Sequence, residues 1–202
     1  LDLLPRISRE IAKSLVYTRD EKRSDIFNNS FTSGETGPDG KVLCATDHPL
    51  QAGGTSSNKL ATYADLSEDS LESMLFLVDK FLNPDGLKSM YEAKYLVVPT
   101  DLKYEACRIT KNKDRPGTAE RDINAINYRG DISDYLVWKR LSDTDAWFVT
   151  TDAEDSLVEV SRQGLARQEH HDPYTYDLIV SFYERYRMLF NDWKGIAGTP
   201  GA

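Results

Sequence analysis

The chain has 202 residues, and its 40% hydrophobic and 29% charged content is typical of a globular protein with its own core. The formal net charge of −8 argues against a protein whose main task is to bind nucleic-acid phosphates or an anionic membrane. Its apolar runs are much shorter than the roughly 20 residues that a bilayer-spanning helix needs. The two distant cysteines, Cys44 and Cys107, do not make a disulfide framework; a reducing compartment fits them best, with a single bridge as the alternative.

The first predicted element is a helix over residues 4–31. Apolar residues recur at helical spacing from Leu4 to Phe31, and Pro5 suits a first helical turn. A charged stretch interrupts the middle of this pattern. The segment is therefore predicted as one long helix, or as two helices with a break near Thr18.

Residues 33–59 predict a long loop. Both ends are rich in Gly, Pro, Asp, Asn and Ser, which favour turns, and a short strand is expected between them at residues 41–44. A loop of this length inside a compact domain is uncommon and is often a functional or interacting surface.

The middle of the chain predicts helices and a buried strand. A helix is expected over residues 66–82, with Asp65 as its N-cap and Glu68 completing a variant of the capping box. A strand follows over residues 95–98, and Thr100 is expected to cap a third helix. This order favours a mixed sheet with helices packed on it.

The last third of the chain is predicted mostly as strands. Strands over residues 135–141 and 146–150 are expected to pair as a hairpin through the polar loop between them. A short strand is expected at residues 157–160. Residues 178–190 fit both helical and strand periods, but their aromatic and β-branched content favours a strand. The tail from Gly198 is expected to be loose.

One local cluster suggests nucleophilic chemistry. Cys44 and His48, with Asp47 beside them, could form a thiolate and its general base, but their turn-rich loop favours a structural role. The sequence contains no serine-hydrolase elbow, no Walker-type phosphate loop and no zinc-protease motif.

Other polar clusters suggest ion binding. Residues 169–172 (EHHD) hold four potential metal ligands, yet adjacent histidines on a strand point to opposite sides, so a solvated loop is favoured. The acidic residues within 143–145 and 152–155 could bind a cation weakly but do not match a calcium loop. Basic residues within 111–121 could contact phosphate, which is weak evidence on an acidic chain.

A succession of short segments is similar to one protein family. These segments are FNNSFT at 27–32, DGKVLCATDHPL at 39–50, GGT at 53–55, SNKL at 57–60, ADLS at 64–67, LVVP at 96–99, DINA at 122–125, DAWF at 145–148, RY at 185–186 and DWKGI at 192–196. Their order and spacing resemble the major capsid proteins of tailed bacteriophages, specifically the Mu-like major head subunit group. The resemblance spans about residues 1–198.

The resemblance implies an α+β protein with the Hong Kong 97 (HK-97-like) capsid fold. Residues 1–32 would form the spine helix of the peripheral domain, and residues 33–155 would form mostly the axial domain, with its mixed sheet and helices and the long loop 33–59. Residues 156–202 would return as strands to the peripheral domain and end in a tail. Family members carry an N-terminal arm and an extended loop before the spine. Neither is found in this chain, which is therefore expected to be a cleaved product or part of a longer one.

The function that the resemblance implies is structural, with no enzymatic activity, cofactor or metal. Such a subunit assembles with itself, through hexamers and pentamers, into an icosahedral shell around double-stranded DNA. Scaffold, portal or decoration proteins are further expected partners; DNA would be contacted weakly and without sequence specificity, and no membrane is involved. The location would be the virion, after assembly in the bacterial host cytoplasm. The alternatives are an encapsulin-like compartment shell, a hydrolase using Cys44 and His48, or a metal-binding protein using His170 and His171.

Overall fold

Helices and strands are mixed along the chain. The computed structural model describes residues 3–32, 35–114 and 123–202. The helices are α1 (Leu3–Asn28), α2 (Glu68–Val78), α3 (Lys103–Lys111) and α4 (Ala125–Arg129), with a 3-10 helix at Trp193–Gly195. The strands are β1 (His48–Pro49), β2 (Thr55–Ser56), β3 (Ala93–Val98), β4 (Asp134–Val137), β5 (Trp147–Thr151), β6 (Leu157–His171), β7 (Leu178–Phe190) and β8 (Ile196–Thr199). The α+β class is thus confirmed, and within the described ranges no helix is long and apolar enough to cross a bilayer.

Helix α1 is continuous, so the alternative with a break near Thr18 is wrong. The Thr18 hydroxyl donates to the carbonyl of Ser14 at 3.0 Å, within the turn that precedes it. At the C-terminal end of the helix, Phe27 is buried and packs edge-on against Trp138 and Phe148, with ring centroids 5.0 and 5.2 Å away. This end of α1 is therefore anchored in the protein core.

A four-stranded sheet with the order β4-β3-β5-β8 forms the centre of the fold. Strand β3 pairs with β4 in parallel and with β5 antiparallel, and β8 completes the far edge antiparallel to β5. The predicted hairpin between residues 135–141 and 146–150 is therefore wrong. The buried run at the end of β3 takes the position between those two strands, as expected of a continuous apolar strand with neighbours on both sides.

Buried side chains cover both faces of this sheet. On one face Leu96 and Trp147 pack in the same cluster as the apolar sides of α2, α3 and α4. On the other face Val97 and Phe148 pack with the end of α1 and with residues 43–44. The alternation of side chains along each strand separates the two clusters.

The predicted helix caps and one short strand are wrong. Helix α2 is capped by Ser67 rather than Asp65: its hydroxyl accepts from the amide of Ser70 at 3.2 Å, and the Ser70 hydroxyl accepts from the amide of Ser67 at 2.9 Å. A serine thus takes the place predicted for Glu68 in the capping box. Helix α3 has no side-chain cap, so Thr100 does not have the predicted role. The four residues at 41–44 form no strand; two of them are buried in loop conformation.

Strands β6 and β7 form a long two-stranded ribbon. Pairing runs from Leu157 opposite Phe190 to His171 opposite Leu178, with irregular register around Gln163. The strand predicted for residues 178–190 is confirmed. The strand predicted at 157–160 is too short, because β6 continues for 15 residues.

The C-terminal segment is packed, so the predicted loose tail is wrong. All four residues of β8 are buried. Gly201 has a φ of 81°, and a Cβ there would lie 2.5 Å from the Cβ of Asp145. The amide of Ala202 donates to Asp65 at 3.0 Å. Small residues and a left-handed glycine let this segment lie close against the end of β5.

Candidate functional site

The Cys44–His48 cluster belongs to the core. The Cys44 side chain is buried, and burial raises the pKa of its thiol to about 12, so the thiol stays protonated at neutral pH. The nearest partners of His48 are Asp39, with Oδ2 2.6 Å from Nδ1, and Asn58, with Oδ1 3.1 Å from Nε2. Both ring nitrogens therefore face oxygen atoms rather than the thiol. Asp47 instead forms an ion pair with Lys41. The hydrolase alternative consequently lacks both an activated nucleophile and an available base.

Asn58 connects two distant parts of the chain at this cluster. Its amide nitrogen donates to the carbonyls of Leu43 and Ile196, both at 2.7 Å, and of Trp193 at 3.1 Å. Its amide oxygen accepts from the Ala45 amide at 3.0 Å. Nothing in the sequence around Asn58 distinguishes it from other asparagines in turn-rich loops. Its place in the SNKL segment was the one signal that pointed to it. Sequence analysis therefore missed its role.

The loop expected at residues 33–59 is partly a packed layer. The imidazole of His48 is fully buried and stacks on the indole of Trp193, with centroids 4.4 Å apart and planes 8° apart. Trp193 in turn contacts Phe81 edge-on at 5.3 Å. The stack and the Asn58 hydrogen bonds hold this loop on the C-terminal segment, whereas residues 51–54 are exposed.

The predicted metal ligands at residues 169–172 are not gathered into a site. His170 and His171 are exposed at the end of β6. Asp172 stabilises the turn that follows, because its Oδ1 accepts from the amide of Tyr174 at 2.8 Å. In the described parts of the chain, no group of three or more His, Cys, Asp or Glu side chains is placed to hold a metal ion.

The remaining charged clusters form local contacts. Asp143 accepts from the amide of Asp145 at 3.1 Å, and Asp152 accepts from the amide of Glu92 at 2.9 Å, so these acids stabilise turns. In the basic loop, Lys111 forms an ion pair with Asp134 on β4 at 2.9 Å, and Lys113 is exposed. The predicted basic residues Arg115 and Arg121 lie outside the described residues.

The ribbon β6–β7 is the most promising interaction surface. One face lies along α1, where Glu159 forms ion pairs with Arg19 and with Arg23, the latter at 2.7 Å. The guanidinium of Arg19 also lies 5.4 Å from the ring centroid of Tyr186. These contacts fix one end of the ribbon to the helix.

The rest of the ribbon exposes apolar groups. Tyr174 and Tyr176, in the turn between the two strands, are 91% and 81% exposed. Other large apolar side chains are exposed along the strands, namely Leu157, Val160, Leu165, Leu178 and Ile179. A two-stranded ribbon is marginally stable alone, and exposed apolar groups of this number are typical of a surface that a partner covers.

Comparison with known proteins gives one family. A family model described as phage capsid protein matches residues 1–198. A search of curated protein sequences finds no match. Among solved structures, this chain is similar to the virus-like particle from Pyrococcus furiosus, with 11% identity and a TM-score of 0.43 over 70% of this chain. The similar region covers 55% of that chain, so this chain spans about half of its length.

Proposed function

We propose that this chain, which belongs to the phage capsid protein family, is a subunit of an icosahedral shell around double-stranded DNA. The family match carries this proposal, since it covers residues 1–198 of 202 and the role of a capsid protein is structural. The finer assignment is to the Mu-like major head subunits with the HK-97-like fold. It rests on the segments from FNNSFT to DWKGI that occur in order along the chain.

The proposed domains are assigned from the contacts between elements. We assign α1 within residues 1–32, and the ribbon within residues 156–202, to the peripheral domain, since α1 lies beside β7. Residues 33–155 are assigned mostly to the axial domain, since they contain α2, α3, α4 and three strands of the central sheet. Strand β8 joins that sheet, so the tail returns to the axial domain in this assignment.

The proposed partners are copies of the same subunit, arranged as hexamers and pentamers. The exposed ribbon supports such contacts, because its apolar groups need cover that the described chain does not supply. Scaffold, portal and decoration proteins complete the proposed set, with assembly in the host cytoplasm and the virion as final location. The net charge of −8 supports a wall that contacts packaged DNA weakly.

Electron microscopy of the full-length protein under assembly conditions tests this function. We expect closed shells with pentameric and hexameric clusters, and double-stranded DNA protected from nuclease in particles purified from host cells. A protein that stays monomeric under every assembly condition would contradict the capsid function. Particles that hold an enzyme instead of DNA would indicate a compartment shell.

A further inference from the structure

His48 is a titratable group with no exposure to solvent and an unusual set of neighbours. Its Nδ1 lies 2.6 Å from Oδ2 of Asp39, and its Nε2 lies 3.1 Å from Oδ1 of Asn58. A neutral imidazole has one N–H donor and one acceptor nitrogen, whereas an imidazolium has two donors. The protonation state of His48 therefore depends on whether each of these two oxygens accepts a hydrogen bond.

The orientation of the Asn58 amide is fixed by its other contacts. Its Oδ1 accepts from the amide of Ala45, while its Nδ2 donates to the carbonyls of Leu43 and Ile196. A flipped amide would set an NH2 group against the Ala45 N–H and an oxygen against those carbonyls. The oxygen therefore faces His48, and Nε2 must be the donor of that hydrogen bond.

The carboxylate of Asp39 requires Nδ1, the other ring nitrogen, to be a hydrogen-bond donor as well. Its Oδ1 accepts from the amide of Lys41 at 3.1 Å, and its side chain is 18% exposed. Each of the two carboxyl oxygens thus lies against a nitrogen that can donate to it, so the geometry uses both oxygens as acceptors. The remaining oxygen, Oδ2, then accepts from Nδ1 of His48.

We infer that His48 is held as a doubly protonated imidazolium and forms a proton-dependent latch between residues 39–58 and the C-terminal segment. The positive ring lies face to face with the indole of Trp193 at 4.4 Å, and this geometry also favours the charged form. Loss of the proton leaves a bare ring nitrogen against an oxygen acceptor. The latch then loses a buried hydrogen bond, and residues 39–58 are held less firmly.

The other charged groups around the ring are already paired with one another. Asp47 pairs with Lys41, and the pKa of the Asp47 carboxyl lies below its usual range, mainly through that hydrogen bond. Beyond Trp193, Lys194 pairs with Asp192 at 2.8 Å. The Cys44 thiol in the same cluster is neutral. Asp39 is therefore the counterion of His48.

Nitrogen-15 NMR of histidine-labelled protein tests the protonation state directly. Magic-angle spinning suits both the free subunit and an assembled shell. The chain has three histidines, so the variants His170→Gln and His171→Gln assign the His48 signals. Near neutral pH we expect two protonated ring nitrogens on His48. A bare Nδ1 or Nε2 at that pH would overturn the latch, whether or not the protein forms shells.

The variant Asp39→Asn tests the consequence for the fold. Its amide can donate to Nδ1, so His48 becomes neutral while both hydrogen bonds stay in place. In the unmodified protein, exchange of the Ala45 and Gly198 amides, corrected for intrinsic rates, should accelerate roughly tenfold once the pH is high enough for NMR to show a bare ring nitrogen on His48, because the folded state has then lost its extra proton. The variant should lack this acceleration, and His170→Gln, at an exposed histidine, should retain it. The same pH response in Asp39→Asn and the unmodified protein would overturn the latch.

Discussion

The central sheet and the ribbon β6–β7 come from the same chain but gain their stability differently. Strands β3, β5 and β8 bury most of their side chains between helices on one face and the end of α1 on the other. The ribbon has 15 residues in one strand and 13 in the other, most of them half-buried or exposed. The sheet therefore supplies its own core, whereas within the described chain the ribbon depends on its contacts with α1.

Stability and the proposed assembly therefore depend on different parts of the chain. Changes in the sheet should alter the free energy of unfolding of the isolated subunit. Changes at the far end of the ribbon should leave that free energy nearly constant and, if the proposed function is right, alter contacts between subunits. The two regions can therefore be distinguished by substitutions that remove a similar amount of side chain from each.

The largest expected effect is at Trp147 in β5. Its side chain is fully buried, and its Nε1 donates to the carbonyl of Ala64 at 3.1 Å. Trp147→Ala should lower the free energy of unfolding by about 3–5 kcal/mol, through the cavity and the unpaired carbonyl. Urea denaturation of the subunit measures this. Tyr174→Ala, at an exposed aromatic of the ribbon, is the control. If both variants lower the free energy of unfolding by a similarly small amount, the sheet is not the more stable of the two regions.

The next effect is expected at Asn58. Replacement by alanine leaves buried carbonyls and the Ala45 amide without partners, so Asn58→Ala should cost about 3 kcal/mol. Amide exchange at Ala45 should also rise, since that N–H loses its acceptor. Asn191→Ala, at an exposed asparagine nearby, is the matched control and should change little. Equal losses for both variants would show that Asn58 does not hold the two segments together.

A smaller effect is expected where the ribbon meets α1. Glu159→Gln removes the charge that Arg19 and Arg23 share, and this partly exposed network should contribute about 1 kcal/mol. Hydrogen exchange should increase in the ribbon but not in β5, and the difference should shrink at high salt because ions screen the pairs. Glu169→Gln, farther along β6, should not change exchange near α1. Faster exchange in β5 would mean that the ribbon is part of the central core.

The smallest effect on the subunit is expected at the end of the ribbon. Tyr174→Ser should change the free energy of unfolding by less than about 0.5 kcal/mol, because the ring is 91% exposed. If the ribbon forms subunit contacts, the same variant should reduce the yield of shells seen by electron microscopy. Met90→Ser, at another highly exposed apolar residue, is the control. Unchanged yields would remove the ribbon turn from the proposed contact surface.

Local patterns predicted two of the apolar strands, but they did not predict which strands pair with one another. Residues 95–98 form a continuous apolar run, and residues 178–190 carry aromatic and β-branched side chains; both are strands as predicted. The outer part of β6, SRQGLARQEHH, has polar residues on both faces, so no alternation marked it as a strand. The position of β3 between β4 and β5 depends on contacts far apart in sequence, which no local pattern encodes.

The candidate site was predictable only in part for the same reason. Cys44 and His48 were identified as a pair by their short spacing, but burial and partners decide their chemistry. The oxygens that face His48 come from Asp39 and Asn58, and the ring that covers it comes from Trp193. The resemblance to capsid proteins marked these segments, although not their contacts with one another.

Strand β8 has a consequence for how the protein is made. Its residues Ile196–Thr199 pair with β5, and Trp147 lies opposite Thr199. A ribosome must therefore release almost the whole described chain before the sheet can close its edge. A prematurely terminated chain retains the other strands of the sheet but exposes the edge of β5 and the apolar groups that β8 covers. Closure of the sheet therefore waits until residues 196–199 have been synthesised, so the free edge of β5 is the last part of the sheet to be covered.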